Sequence, residues 1–461
     1  MLLWLAACQP GKTGLGDAPP APPPPELTGP AAIDPVRGEP QTWTVSGTDA
    51  AVELRDPSGD VLGSFAAGEA VTWDARDDAG EPVATGTYTL APEGGDPVDV
   101  EVVRVGLVAG TLGGPDRVPL CWWASAYWDD AAEGPTFSVA SYDLTVAEPW
   151  SGVDEAPVDL AGVNLPAAFP FDAMPTLAVT LGGDAPAGLL TLELDGWDAG
   201  DADAVPNAAV TLTRTSPLSD GPGVVEETLA VRWMAGEDEV ARQDVPIRVY
   251  ATLGAATFEP AESPNIPWVA VLDPLLRELA GTAPTAEAVG GAIVDYVWSQ
   301  EDLTYDTRYG ASAYTAYRGG GFDRAVLDLS GFLTRENGRV VNCTDSAAIV
   351  EAYGHMVGVD FSYVILTPEF DLNYILAIGG TDFTHCPFGS GGCGFSYHTM
   401  VTPDDSATIY DATLQLDGDA DPGSTPHTAL PVRGLTGDDY RDALVMAGRP
   451  NYRYAQKGRI R

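Results

Sequence analysis

The sequence predicts a multidomain protein in which two β-rich segments precede a carboxy-terminal α+β domain, and three observations carry that reading. At roughly 150 residues per domain, 461 residues with 45% hydrophobic content leave room for about two to four cores. From about residue 38 to 255, short runs of alternating apolar and polar residues are punctuated by Gly, Pro and Asp breakers, as in antiparallel sheets with one buried face. Past Pro264 the apolar spacing becomes helical, at Val269, Val271, Leu272, Leu275, Leu276 and Leu279, then at Ala288, Ile293, Val294, Tyr296 and Val297.

At the amino terminus, Met1-Leu2-Leu3-Trp4-Leu5-Ala6-Ala7-Cys8 is an apolar run ending in small residues directly before a cysteine. Residues 1–8 resemble a bacterial lipoprotein signal with Leu5-Ala6-Ala7-Cys8 as its lipobox. That resemblance implies lipidation of Cys8 and a place in the bacterial cell envelope, facing the periplasm or the cell surface. Residues 9–37, with Pro22-Pro23-Pro24-Pro25 among them, favour extended polyproline II and read as a semi-rigid tether. No run approaches the roughly eighteen apolar residues that span a bilayer, so the expected membrane contact is the lipid anchor alone.

Residues 38–104 read as a small β-sandwich, with strands at Gln41–Val45, Ala51–Leu54, Val61–Leu62, Ala70–Trp73, Gly86–Leu90 and Val98–Val102. The stretch from Trp73 to Tyr88, turning at Asp77-Asp78-Ala79-Gly80, resembles the immunoglobulin-like domain of flagellar hook-capping proteins. It implies a spacer and no chemistry. Residues 105–260 form a second antiparallel β-rich segment with longer strands, such as Gly188–Leu194, Ala209–Thr213, Thr228–Met234 and Pro246–Tyr250. Its tryptophans, Trp122, Trp123, Trp128, Trp150 and Trp197, either fill that β core or line a ligand groove, and Cys121 reads as a buried thiol.

The net charge of −44, from 67 acidic against 23 basic residues, excludes the phosphate backbone of nucleic acid and anionic lipid headgroups as natural partners. A solvated surface in an extracellular or saline setting accounts for it. Lysine is confined to Lys12 and Lys457.

The chemistry concentrates in residues 261–461. Val340-Val341-Asn342-Cys343 leads from a short strand into a helix ending near Gly358, which puts Cys343 at a helix start. The unpaired amides and positive dipole there stabilise a thiolate and offer a donor to an oxyanion. Asp345 opposes this unless it caps free helix amides. Downstream, a hairpin with a loop over 403–406 pairs Thr402 with Ala407, Met400 with Ile409 and His398 with Asp411, giving a base and its orienting carboxylate on one face. A cysteine on a helix followed by histidine and aspartate on adjacent strands resembles the transglutaminase-like superfamily of papain-type enzymes. The resemblance implies an α+β papain-like domain with a catalytic triad of Cys343, His398 and Asp411. It also implies cleavage or transfer of amide acyl groups of protein or peptide substrates through a thioester on Cys343. The alternative is an inactive fold that binds peptide or glycan. Asn337 and Trp298 are candidates for a further oxyanion donor.

Among the remaining candidates, Cys386 and Cys393 read as a disulfide closing a flexible loop, preferred over zinc held with His385. Asp417, Asp419 and Asp421 open like a calcium loop, although Pro422 and Thr428 break the pattern. Calcium would make the chain an adhesive β protein, and no other cofactor is expected. Neither His355, twelve residues along the Cys343 helix, nor His427 is assigned a role.

Overall fold

The computed structural model describes residues 23–461 except 37, 47–49, 69, 115, 121–135, 139–163, 199–208, 260–264, 319–323, 390–391, 404–406 and 420–424. Cys8, Cys121, Trp122, Trp123, Trp128, Trp150 and Asp421 therefore lie outside the described residues. The protein is β-rich, with several separate sheets, and divides into two compact units. Among the described residues, no helix is long and apolar enough to cross a membrane.

The first unit comprises residues 1–104 together with 235–241. A three-stranded sheet orders Glu26–Thr28, Gln41–Ser46 and Val71–Trp73. A five-stranded sheet orders Ala32–Ile33, Val98–Val102, Gly86–Pro92, Val52–Arg55 and Val61–Phe65. Both contribute to one core, with Trp43, Trp73, Tyr88, Leu90 and Val100 buried in it. The breakers act through their carboxylates: Asp56 Oδ1 accepts the amides of Ser58 and Asp60, and Asp77 Oδ1 those of Ala79 and Glu81. The tether reading was too long. Glu26–Thr28 and Ala32–Ile33 are strands, because Leu27, Ala32 and Ile33 bury fully enough to hold a segment whose prolines otherwise favour an open chain.

Residues 105–234 and 242–461 form the second unit, so the divide expected near residue 260 falls inside it. Its helices are α1 (Val269–Glu278), α2 (Ala286–Ser299), α3 (Leu329–Leu333), α4 (Cys343–Val357) and α5 (Gly437–Leu444). Polar contacts knit the β-rich part to them. Arg248 and the Tyr250 hydroxyl bond Asp273 of α1 at 3.3 and 3.1 Å, and the Leu253 amide donates to the Val357 carbonyl at the end of α4 at 2.8 Å. Trp197 is buried in this part, with the Arg214 guanidinium over its ring at 5.7 Å.

An antiparallel sheet orders Ile375–Ala377, Thr408–Asp417, His398–Pro403, Phe361–Thr367 and Asn451–Tyr454, with Ala429–Thr436 also paired to Thr408–Asp417. Helix α4 packs on the three central strands, and all its residues are buried, as expected of a helix enclosed on every side. Gly354 permits that approach, since a Cβ there would stand 2.3 Å from the buried Phe361 ring. Residues 299–329 hold the strands Thr304–Tyr305, Thr315–Arg318 and Arg324–Leu327. Two of these pair with Val340–Val341 and Gln456–Ile460, partners too distant in sequence for local periodicity to reveal.

Candidate active site

Val340–Val341 delivers the chain to α4, where Asn342 is the N-cap and Cys343 the first helical residue. Asn342 Oδ1 accepts the Asp345 amide at 3.0 Å, and the Asp345 carboxylate accepts the Asn342 amide at 3.3 Å, completing a capping box. The same carboxylate accepts Ser312 Oγ at 2.8 Å and the amides of Ala313 and Tyr314 at 2.7 and 3.0 Å. Four donors thus hold the negative charge that the sequence places beside the thiol. The Asn342 side chain also donates to the Gly310 carbonyl at 2.9 Å, so residues 310–314 are laced to the helix start. The first amides of the helix have no intrahelical acceptor and give Cys343 a positive local field.

His398 and Asp411 are brought together, in a different register from the one expected. Val401 pairs with Tyr410, two residues away from the partner expected for it. The strand continues through Pro403, one residue beyond the end expected for it, and a strand end tolerates the missing amide. Because the offset is two residues, both side chains keep their common face and meet diagonally. The His398 Nε2 to Asp411 Oδ2 distance is 2.8 Å, with both residues buried. Asp411 Oδ2 also accepts the Tyr440 hydroxyl at 2.7 Å, and its Oδ1 accepts the Thr413 amide at 2.7 Å.

Nε2 is committed to Asp411 and Nδ1 of the imidazole makes no hydrogen bond, while the Cys343 thiol lies near enough to act on the ring electrostatically. Burial pushes the Cys343 pKa up, but the proximity and charge of the His398 imidazolium, joined by Thr399, overcome it and hold the thiol below its ordinary value. Burial pulls His398 down, while the Asp411 charge and hydrogen bond, then Cys343, push it up to about 10. Two groups driven in opposite directions by one another describe a thiolate–imidazolium pair, whose titration belongs to the pair.

No protein-family model matches the chain, and no curated protein matches it. Among solved structures it is similar to FdeC, a broadly conserved Escherichia coli adhesin, at 11% identity over 49% of this chain and 63% of that one, with a TM-score of 0.18. It is also similar to a glycoside hydrolase family 2 β-glucuronidase, at 14% identity over 93% of this chain and 38% of that one, with a TM-score of 0.13. The chain spans less than two thirds of either protein, and the site is read from its own geometry.

Neither further oxyanion candidate is engaged with Cys343. The Asn337 amide donates to the Ala313 carbonyl at 2.9 Å, and Trp298 is a half-buried ring packed on the main core. Tyrosines, unassigned from sequence, stand closer. The Tyr363 hydroxyl donates to the Thr344 carbonyl at 2.8 Å, and the Tyr397 hydroxyl lies 3.4 Å from Thr344 Oγ1. The Phe395 ring stacks on His398, with centroids 5.0 Å apart and planes 10° from parallel. Cys386 and Cys393 are disulfide-bonded and Cys343 is free, so neither loop cysteine offers a thiolate to zinc beside His385. Phe388 of that loop packs against Tyr305 and Phe395, with centroids 6.1 and 5.9 Å apart.

Asp417 is buried, its Oδ2 2.6 Å from His427 Nδ1 and its Oδ1 accepting the Thr428 amide at 3.0 Å. Asp417, Asp419 and His427 bring their ligand atoms within 4.8 Å of one another, but an imidazole replaces one of the oxygens that calcium prefers. His427 stacks on Tyr374 at 4.5 Å. His355 is buried and joins the Phe361 carbonyl through Nε2 at 2.7 Å, a contact within the α4 packing and separate from the thiol.

Proposed function

We propose that this protein is an exported thiol enzyme of the transglutaminase-like superfamily, lipid-anchored through Cys8. On this reading the Cys343 thiolate attacks the amide carbonyl of a protein or peptide, and collapse of the tetrahedral adduct breaks the C–N bond. His398 gives its proton to the departing amine, leaving a thioester. Water or a second amine, deprotonated by His398, then displaces the acyl group and restores the thiol. Asp411 keeps the imidazole oriented and stabilises its charge. With two lysines in the chain, an amine acceptor comes from another molecule. The first unit serves as an immunoglobulin-like spacer.

The observation that carries the reading is the buried thiol at a helix start in the same site as an imidazole whose Nε2 is bonded to a buried carboxylate. The test is the pH dependence of Cys343 alkylation by iodoacetamide, followed by mass spectrometry. Cys343 is lowered and His398 raised to about 10, so the ion pair exists below the ordinary thiol range and persists until pH approaches about 10. Alkylation is expected to set in at a lower pH than for a free cysteine. In His398→Gln the imidazolium support is lost, burial is offset only by Thr399, and the rate at pH 7 falls about tenfold or more. A wild-type profile rising only above about pH 8.5, as for a free cysteine, refutes the reading. On stability the sign is fixed: the raised His398 contributes fully below its unfolded value near 6.5, and that contribution is lost as pH climbs through about 10.

A second reading, a fold that binds peptide or glycan without turnover, draws on the burial of the pair, with Cys343 4% and His398 0% exposed. A trapped acyl-Cys343 adduct after incubation with peptide amides excludes it. The anchor has its own measurement. Mass spectrometry of the mature amino terminus is expected to find a lipidated Cys8, and an unmodified Met1 from a verified start removes the anchor from the proposal.

A further inference from the structure

We infer that Tyr440 is a positioning residue for His398, acting through the Asp411 carboxylate, an inference that rests on the thiol-enzyme reading above. Thr436 caps α5, its hydroxyl accepting the Asp439 amide at 3.1 Å. The helix buries only Tyr440 and Leu444, four residues apart on one face, and so drives one phenol into the site. The Tyr452 hydroxyl ties to the Gly437 carbonyl and braces the first turn.

The phenol reaches the carboxylate oxygen that holds the base. Asp411 Oδ2 receives Tyr440 at 2.7 Å and His398 Nε2 at 2.8 Å, while Oδ1 receives the Thr413 amide at 2.7 Å. Without the hydroxyl, the imidazole and one amide alone define the carboxylate plane, and rotation about its single bond swings Oδ2 away from Nε2. With it, donors from three segments fix both oxygens. Tyr440 and His398 are each 0% exposed, so their shared acceptor is not screened by solvent. The rings lie 19° from parallel with centroids 6.5 Å apart, so the phenol also borders the imidazole plane. A buried tyrosine finds some partner in any fold. Here the partner is the oxygen whose direction sets the tautomer and aim of the base.

Tyr440→Phe keeps the ring and removes only the hydroxyl, and iodoacetamide serves as the probe on the full chain. The Cys343 alkylation rate at pH 7 is expected to fall about threefold or more. The hydrogen-bonded His398 Nε2 proton, seen by NMR, should move upfield because the Asp411 carboxylate, no longer held by the phenol, keeps it less closely. In an Asp411→Asn background both effects of Tyr440→Phe should vanish, since the path between phenol and imidazole is cut. Wild-type rate and proton shift in Tyr440→Phe, or effects that persist in full beside Asp411→Asn, overturn the inference. Should the wild-type thiol itself prove unactivated, the fault lies with the thiol-enzyme reading, so the two failures are separable. A drop in melting temperature alone marks a structural role and also overturns it.

Discussion

Cys343→Ala is expected to abolish acyl transfer from peptide amides and all alkylation at this position, with the melting temperature nearly unchanged. The thiol is the nucleophile of the proposed thioester, and alanine fits a helix start that Asn342 and Asp345 cap without help from the sulfur. His398→Ala should lose nearly as much, about a thousandfold or more, because the base is gone and burial then penalises the thiolate with only Thr399 to offset it. Asp411→Ala should leave more residual activity, since the base remains and only its orientation and charge support are lost. Single-turnover assays with a peptide amide, read beside thermal melts, check the order. Undiminished turnover by Cys343→Ala would end the assignment.

Gly358→Ala is expected to be the most damaging single methyl added near this site, lowering stability by about 2–4 kcal/mol. Gly358 caps α4 in the left-handed region, with φ 91°, and its amide closes the helix on the Gly354 carbonyl. A Cβ there would lie 2.5 Å from the Gly254 nitrogen, a backbone atom with no rotamer to escape into. Gly281→Ala separates the two costs, because its φ of 81° carries the same conformational penalty while nothing lies within 4 Å of the added carbon. It should cost about 1 kcal/mol. Thermal melts of both variants decide the matter. Equal losses would show that the approach to Gly254 yields easily.

What sequence reveals about this site follows from the range of each signal. Cys343 at a helix start was legible because Asn342 and Asp345 lie within three residues and the apolar face runs on behind them. That His398 and Asp411 share a face was legible for a weaker reason: strand parity survives a two-residue slip. Their register was not, since Pro403 reads as a breaker and sits at a strand end. Tyr440 left no trace, because an eight-residue helix with two buried positions says nothing about which carboxylate one of them meets. The strands at Leu27 and Ile33 hid in proline-rich sequence, and those at Thr304 and Arg324 pair with segments too remote for any local pattern.

The reactive pair is also spread out along the chain. Helix α4 brings the sulfur, one hairpin the imidazole and carboxylate, and α5, near the end of the chain, the phenol. Before these segments dock, Cys343 has neither its imidazole nor its capped helix, and it behaves as an ordinary thiol near pH 8.5. A chain still unfolded therefore carries little nucleophilic hazard for its neighbours. Thiol reactivity becomes a measure of assembly: in refolding, it should lag α-helix formation and coincide with closure of the last tertiary contacts.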